Sequence, residues 1–368
     1  MKIAIDRMTL CDAVNHVSRA VSTKSTIPAL EGIMLLAEGE TLTMVAYNLE
    51  IGMTKKLAAR VEEKGEVILN AKLFGDIVRR LPGDMVSLTV DERLMCQITS
   101  GSAKFDILGI STAEFPEMPS LTESKALDMP GDVLQSMVRQ TIFAVAQNDA
   151  KPVHTGILFE VSGGEIRLVA VDGFRLAIRK EALAADNDMR FIVAGKAMSE
   201  VVKLITEETE TVTLRVGKRH ISFEIDGYTL ISRLLDGEFL DYHNTIPKAF
   251  ASTVRVNTRE VADTVERISL IISDRLKSPV RCQISSEGIE FSCVTAMGRA
   301  VDRCGASLEG ADIEIGFNNR YLLDALRAAE TDEVFMEFNG AFAPMVIRPV
   351  EGDTFLFMVM PVRLKNEI

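Results

Sequence analysis

One order of elements recurs three times along this 368-residue chain, at a period of roughly 125 residues, which is too long for a solenoid repeat and suits a domain. Each unit opens with an amphipathic helix, expected over Asp6–Val21, Pro130–Phe143 and Thr258–Ile272 from apolar residues at helical spacing. Asp6 and Asn257 stand in cap position, the latter with Glu260 at capping-box spacing. A pair of strands follows in every unit: Ala29–Ala37 with Thr41–Tyr47, Thr155–Val161 with Ile166–Val171, and Val280–Ser285 with Ile289–Cys293. Their connections Glu38-Gly39-Glu40, Ser162-Gly163-Gly164-Glu165 and Ser286-Glu287-Gly288 have hairpin chemistry. The glycine pair lies between strands and lacks the lysine of a phosphate-binding loop, so it reads as a turn.

A strand, a helix and a strand come next. The helices are expected over Ala71–Leu81, Gly195–Ile205 and Asn319–Ala329, and a last hairpin ends each unit. Two helices over that many strands imply an α+β fold of three similar domains, 1–124, 125–248 and 249–368, each with two helices packed on antiparallel sheets. Proline-bearing polar linkers, starting at Phe115 and Phe239, fall at the expected boundaries.

Chemistry is harder to find. Five scattered cysteines, Cys11, Cys96, Cys282, Cys293 and Cys304, form no C-x-x-C pair and read as reduced structural thiols. Four histidines, His16, His154, His220 and His243, have no second ligand at helical spacing, so no metal and no cofactor is expected. No zincin, nucleophile-elbow, Walker or dinucleotide motif is present. The best catalytic candidate is Asp172 in Val171-Asp-Gly-Phe-Arg-Leu176, an acid before a glycine turn; the alternative is that Asp172 fixes the turn and pairs with Arg175. No run reaches membrane-span length and the amino terminus lacks an apolar signal core, so a cytoplasmic protein is expected.

A net charge of −12 argues at first against nucleic acid. Yet six helical windows, Asp6–Lys24, Asn70–Leu81, Pro130–Gln140, Ala194–Leu204, Asn257–Ile268 and Phe317–Glu330, hold thirteen Lys/Arg against ten Asp/Glu, so the acid sits off the helices. Helices mix charges for solubility in any protein, but the split also suits helices facing a polyanion without reading its sequence.

The last strand, Asp353–Leu364, is apolar on both faces until Pro361 ends regular pairing, which leaves Met360, Pro361, Val362, Arg363 and Leu364 as an apolar lip. Either that end tucks into its own domain or it borders a peptide-binding groove.

Three further segments join the repeat and the Val171–Leu176 turn: Leu235-Asp-Gly-Glu-Phe-Leu-Asp-Tyr242, Ile315-Gly-Phe-Asn-Asn-Arg-Tyr-Leu-Leu-Asp324 and Val359-Met-Pro-Val-Arg-Leu364. With all of them in order, the chain from Met1 to Leu364 closely resembles the bacterial sliding clamp family, the beta subunits of the replicative DNA polymerase holoenzyme. The resemblance implies a non-catalytic processivity factor that forms a head-to-tail homodimer, a closed ring around duplex DNA with helices lining the hole and sheets outside. Its implied partners are the clamp loader and the replicative and other DNA polymerases and repair proteins, which insert short linear peptides between the second and third domains. Matched residue by residue, that cleft comprises Gly173, Arg175, Leu176, Asn318, Tyr321, Met360, Pro361, Val362, Arg363 and Leu364, with Val171, Leu240 and Phe342 as further wall. Leu240 stands where proline is common, Phe174 replaces a common polar residue, and Asn244 and Thr245 differ from the usual basic–apolar pair, departures that bear on peptide preference. Met358 and Met360 would repack around different anchors, with Leu176 as part of the anchor's seat.

Geometry independently supports two chains. Six helices about 10 Å across, side by side around a hole, leave about 9 Å free, whereas twelve leave about 28 Å. A duplex with grooves roughly 8 Å deep is about 20 Å wide and passes only the larger ring. The strand Lys104–Leu108, with Phe105 and Ile107 on one face, matches the family's interface strand, and Ile271 and Ile272 match its apolar partners; the alternative for Phe105 and Ile107 is their own core. Sequence-independent DNA contact is expected from Lys24, Arg79, Arg80, Arg139, Lys196 and Lys203, with Asn148 and Lys151 near the family's further contacts. An α+β enzyme using Asp172, or a scaffold without DNA, are the competing readings. The tail Lys365–Ile368 either folds back on the lip or stays disordered.

Overall fold

The computed structural model describes residues 1–121, 123–147, 151–184, 188–273 and 278–364. They form two compact units, Met1–Leu134 with Ser199–Leu234, and Gln135–Met198 with Leu235–Ile368, so the second repeat is shared between them.

In the first unit, helices α1 (Arg7–Val17) and α2 (Ala71–Arg80) pack on each other and bury Leu10, Val14, Val17, Phe74, Ile77 and Val78. Asp6 caps α1 by accepting from the Thr9 amide at 2.8 Å, and Asn70 caps α2 from the Leu73 amide at 3.0 Å. α1 ends at Val17 rather than Val21, because the Ser18 hydroxyl turns back to the Val14 carbonyl and the chain tightens into a 3₁₀ turn, Ser18–Ala20. Five strands make one sheet, in spatial order Arg60–Glu63, Lys2–Asp6, Met85–Val90, Met95–Ser100 and Ala103–Leu108. Eight make the other: Lys125–Pro130, Thr211–Val216, His220–Ile225, Tyr228–Arg233, Ile51–Ala58, Thr41–Tyr47, Gly32–Glu38 and Gly65–Asn70. At its centre, Tyr228–Arg233 from the second repeat pairs antiparallel with Ile51–Ala58 from the first, Leu230 opposite Met53.

The second repeat's helices are α3 (Gly131–Ile142) and α4 (Gly195–Leu204). The third repeat's, α5 (Thr258–Ser269) and α6 (Asn319–Ala328), pack on each other in the second unit. Asn257 caps α5 from the Glu260 amide at 2.9 Å, but the capping box is not completed: the Glu260 carboxylate accepts from the Gly305 amide at 3.3 Å instead. A nine-stranded sheet runs Met189–Ala194, Gly156–Ser162, Glu165–Val171, Arg175–Ala182, Phe355–Val359, Met345–Pro349, Glu333–Phe338, Ser252–Asn257 and Ser307–Gly310. Here too a repeat boundary lies mid-sheet, Arg175–Ala182 pairing antiparallel with Phe355–Val359. A four-stranded sheet, Gly298–Cys304, Gly288–Thr295, Val280–Ser285 and Ile313–Phe317, completes the unit.

The expected hairpins and second helices are present within a few residues. Gly163 and Gly164, both at positive φ, connect Ser162 directly to its cross-strand partner Glu165. The sequence reading did not name the strand that opens each repeat (Lys2–Asp6, Lys125–Pro130, Ser252–Asn257) or the strand after the first hairpin (Ile51–Ala58, Arg175–Ala182, Gly298–Cys304). All six are short or carry charges inside the run, which breaks the alternation on which a strand assignment rests.

The nine-stranded sheet buries its aromatics deeply. Phe357, fully buried, stacks on Phe355 at 4.7 Å and meets the edge of Phe143 at 5.3 Å between centroids. Phe357→Ala should therefore cost about 3–5 kcal/mol, read as a lower urea midpoint at unchanged slope; an unshifted midpoint would show that this packing contributes little.

Candidate functional site

The turn Asp172–Arg175 and the chain's end meet in the second unit. Gly173 sits at φ +88°, in the left-handed region that glycine enters without strain. Asp172 makes the turn: its Oδ1 accepts from the amides of Phe174 at 2.9 Å and Arg175 at 3.0 Å, while Oδ2 accepts from Arg175 Nε at 2.9 Å. Every Asp172 oxygen is thereby committed to structure, which favours the turn reading over a catalytic one.

Arg175 is the hub. Its side chain is only 10% exposed and its Nη1 also donates to Asp324 on α6. The guanidinium carbon lies 4.6 Å from the centroid of Tyr321 and 5.5 Å from that of Phe143. Two carboxylates and two ring faces thus hold one cation, and with it the turn, α6 and the end of α3. Phe174, exposed, stacks on Tyr321 at 5.8 Å and 24°. Asn318 caps α6 from the Arg320 amide at 3.0 Å, which fixes where Tyr321 starts its turn.

The lip is seated by backbone. The Met360 amide donates to the Phe174 carbonyl at 2.8 Å and the Val362 amide to the Gly316 carbonyl at 2.8 Å. A side chain at Gly316 would meet Leu364 Cδ2 at 2.6 Å and the Val362 carbonyl at 2.7 Å, so glycine there lets the tail lie flat. Met360 remains 36% and Val362 38% exposed.

Leu176 and Val171 differ from expectation. Leu176 is 1% and Val171 5% exposed, because cross-strand neighbours Val171, Leu176, Met358 and Val346 share one face and pack under Phe239, Tyr242, Ile246 and Phe250. They form the floor beneath the site. Leu240, 37% exposed, lines a cavity of about 250 Å³ with Phe239, Tyr242, His243, Glu160 and Arg190, and Phe342 is 78% exposed in the loop before Met345–Pro349. In that neighbourhood Tyr242 donates to Glu160 and its hydroxyl is pushed above the usual tyrosine range, first by burial and then by that bond. Sequence reasoning missed Asp324, Phe143, Val346 and the Ile246–Phe250 cover. Only Asp324 left a signal, three residues after Tyr321 and so on the same helical face.

Of the expected DNA-facing residues, Lys24, Arg79, Arg80, Arg139, Lys151, Lys196 and Lys203 are exposed, and Asn148 lies outside the described residues. Arg79 bonds Asn15 and Asp76 at 2.8 Å each, Arg80 shares Asp76, and Lys203 bonds Glu200 at 2.7 Å. The bonds from Arg79 and then Arg80 hold the Asp76 carboxyl below its ordinary range. Phe105, 40% exposed, and the half-buried Ile107 lie on Ala103–Leu108, the edge of the five-stranded sheet; Ile271 and Ile272 are half-buried just beyond α5.

Asp172→Ala should cost about 1–2 kcal/mol by leaving two amides and one side of Arg175 without an acceptor. The Phe174 and Arg175 amides should exchange faster with solvent, and unchanged protection of both would reject this role for Asp172.

Three family models match the chain: DNA polymerase III beta subunit, N-terminal domain, over residues 1–119; central domain, over 128–241; and C-terminal domain, over 243–363. Among curated proteins, the beta sliding clamp of Bacillus subtilis is 31% identical over 376 residues, covering 99% of this chain and 100% of that one. The beta sliding clamp of Halalkalibacterium halodurans is 30% identical over 378 residues with the same coverage. The crystal structure of the DNA polymerase sliding clamp from Bacillus subtilis superposes with a TM-score of 0.95 at 30% identity, covering 99% of this chain and 100% of that one.

Proposed function

The chain belongs to the DNA polymerase III beta-subunit family, that of the bacterial sliding clamps, and on that premise we propose that two copies close head to tail into a ring around duplex DNA. As a member it is a non-catalytic processivity factor, which holds a polymerase to its template and performs no chemistry. Three domains, 1–124, 125–248 and 249–368, with helices towards the hole, make up each half of the proposed ring.

One observation carries this reading. Two sheets are continued across a repeat boundary, and the strands that correspond to the pairs meeting there, Ala103–Leu108 in the first repeat and Gly298–Cys304 in the third, stand at sheet edges with one side unpaired among the described residues. Such edges recruit another strand, and the exposed Phe105 supplies an apolar reason to do so. Ile107, Ile271 and Ile272 complete the proposed joint. The wild-type protein should run as a dimer at micromolar concentration and stay on nicked circular DNA while leaving linear DNA. Ile271→Ala with Ile272→Ala should shift it towards monomer; a wild-type monomer would reject the ring.

DNA contact is proposed to be electrostatic and sequence-independent, through Lys24, Arg79, Arg80, Arg139, Lys151, Lys196 and Lys203, with Asn148 alongside. Arg79→Ala with Arg80→Ala should flatten the salt dependence of binding by about two phosphate contacts, a change in log–log slope of about 1.8. An unchanged slope would remove those two residues from the surface.

The clamp loader, polymerases and repair proteins are proposed to dock short peptides on the lip. Met360 and Val362 give the anchor its apolar seat, Phe174 and Tyr321 its aromatic side, and Gly173, Arg175, Asn318, Pro361, Arg363 and Leu364 the frame, with Leu240 and Phe342 as outer wall. Deleting Met360–Ile368 should abolish peptide binding and leave the dimer intact. Deleting only Lys365–Ile368, residues outside those described, should change affinity little; a peptide that binds the longer truncation as tightly as the intact protein would put the groove elsewhere. The reading carries a cytoplasmic location with it.

A further inference from the structure

The linker that covers the floor of the candidate groove has few ties to the sheet under it. At one end the Leu235 amide donates to the Ile192 carbonyl at 2.9 Å, and at the other Asn339 Nδ2 donates to the Ala249 carbonyl at 2.6 Å. Between them, over residues 236–248, most hydrogen bonds are local: the Thr245 amide at 3.0 Å and its hydroxyl at 2.7 Å donate to the Tyr242 carbonyl, and Asn244 Nδ2 donates to Asp241 at 2.7 Å. Among the described residues, one side chain of this stretch is hydrogen-bonded to the sheet beneath. That is Tyr242, whose hydroxyl donates to Glu160 on Gly156–Ser162, with Arg167 beside the same hydroxyl. Glu160 is held in turn by its cross-strand neighbour Arg190, through Nε at 3.0 Å.

The first boundary shows what this bond replaces. Gly52 and Leu176 hold the same place there and at the second boundary, each second in its strand and opposite Tyr47 and Val171 respectively. At the first, Met118 of the linker lies directly on the backbone, since a side chain at Gly52 would meet its Cε at 2.7 Å. At the second, the Leu176 side chain fills that level, and the linker crosses one side chain higher. Space is left around it: cavities of about 250 and 380 Å³, both lined by Glu160, Arg190 and His243, flank the Tyr242 bond. A segment with space beside it is not fixed by close packing and needs a directional bond to hold one position.

Resting on the peptide-groove reading, we propose that Tyr242 is a positioning residue of the groove, its bond to Glu160 setting where Leu240 stands as wall. The ring of Tyr242 packs with Leu176, Val171, Val346 and Met358, while the hydroxyl reaches past them to the sheet. Leu240 lies two residues earlier on the same stretch and lines the smaller cavity with Tyr242, so its place follows the bond. Tyr242 is 2% exposed and the Glu160 side chain 21%, so the bond is largely shielded from water and, with an ionised acceptor, of the stronger kind. Burial and the carboxylate both hold the hydroxyl proton in place, which keeps it a donor. Buried as it is, Tyr242 acts on a peptide through Leu240 and the cover.

Peptide affinity of the full-length protein tests this, measured by fluorescence anisotropy with a labelled hexapeptide ending in leucine and phenylalanine, an anchor suited to the apolar seat and aromatic side of the groove. Tyr242→Phe keeps the ring and removes the donor, and should weaken binding about tenfold, the ratio that one lost charge-assisted hydrogen bond produces. Dimerisation and retention on nicked circular DNA should not change. Glu160→Ala should weaken the peptide as much, whereas Glu160→Gln, which keeps an acceptor oxygen, should stay within about twofold of the wild type. Tyr242→Phe combined with Glu160→Ala should be no weaker than either alone, because both remove the same bond. The Thr245 amide should exchange faster with solvent in Tyr242→Phe. Lower melting temperatures with unchanged peptide affinity in Tyr242→Phe and Glu160→Ala would make the bond structural only and overturn the proposal, as would losses that add in the double variant. A wild-type protein that binds no such peptide would overturn the groove reading, and this proposal with it.

Discussion

Strand pairing across a repeat boundary is the interaction on which the rest of this molecule depends. A sheet edge exposes a row of amide and carbonyl groups, each a strong hydrogen-bonding group that needs a partner once water is excluded. The chain meets that need twice internally, at Tyr228–Arg233 with Ile51–Ala58 and at Phe355–Val359 with Arg175–Ala182. Because a repeat gives one edge and receives another, three repeats in a row leave one of each open. Those two open edges are the ones that the proposed head-to-tail ring would pair.

The same pairing builds the candidate site. Arg175 begins the strand that receives Phe355–Val359, so the turn before it and the tail after Val359 emerge side by side, and the Met360 amide reaches the Phe174 carbonyl as one rung beyond the ladder. In the first unit the corresponding rung runs from the Arg233 amide to the Glu50 carbonyl at 3.2 Å. There the chain continues into a linker. At the second boundary Val362, 38% exposed, stays on the surface beside the half-buried Pro361.

Much of this was legible in the sequence, for identifiable reasons. The helices showed because apolar stripes at 3.6-residue spacing and caps such as Asp6 and Asn257 are local signals. The Asp172 turn showed because an Asp-Gly pair has few other uses. Strands such as Ile51–Ala58, with Lys55 and Lys56 inside the run, did not: Lys55 bonds the Asp226 carbonyl at 2.6 Å and lies over the Tyr228 ring at 4.0 Å, partners far away in sequence. The burial of Leu176 was equally hidden, since Phe239, Tyr242, Ile246 and Phe250 reach it only after the linker folds back over the sheet. The motifs single out the candidate residues; which of them are exposed is a tertiary fact.

Charge divides along the same lines. A protein of net charge −12 that must stay near a polyanion cannot rely on affinity drawn from its whole surface. Its exposed helical cations are partly neutralised by acids one turn away, Asp76 beside Arg79 and Arg80, Glu200 beside Lys203, and the Asp76 pairs, exposed on both sides, are of the weak kind that contributes little. At the corresponding position of α6 stands Asp324, and there the acid turns away to hold Arg175 instead. Arg327, one turn on, pairs with Glu266 at 2.9 Å. One helical position thus moderates cations in two repeats and anchors the candidate groove in the third, which is how a triplicated scaffold acquires a single site of its own.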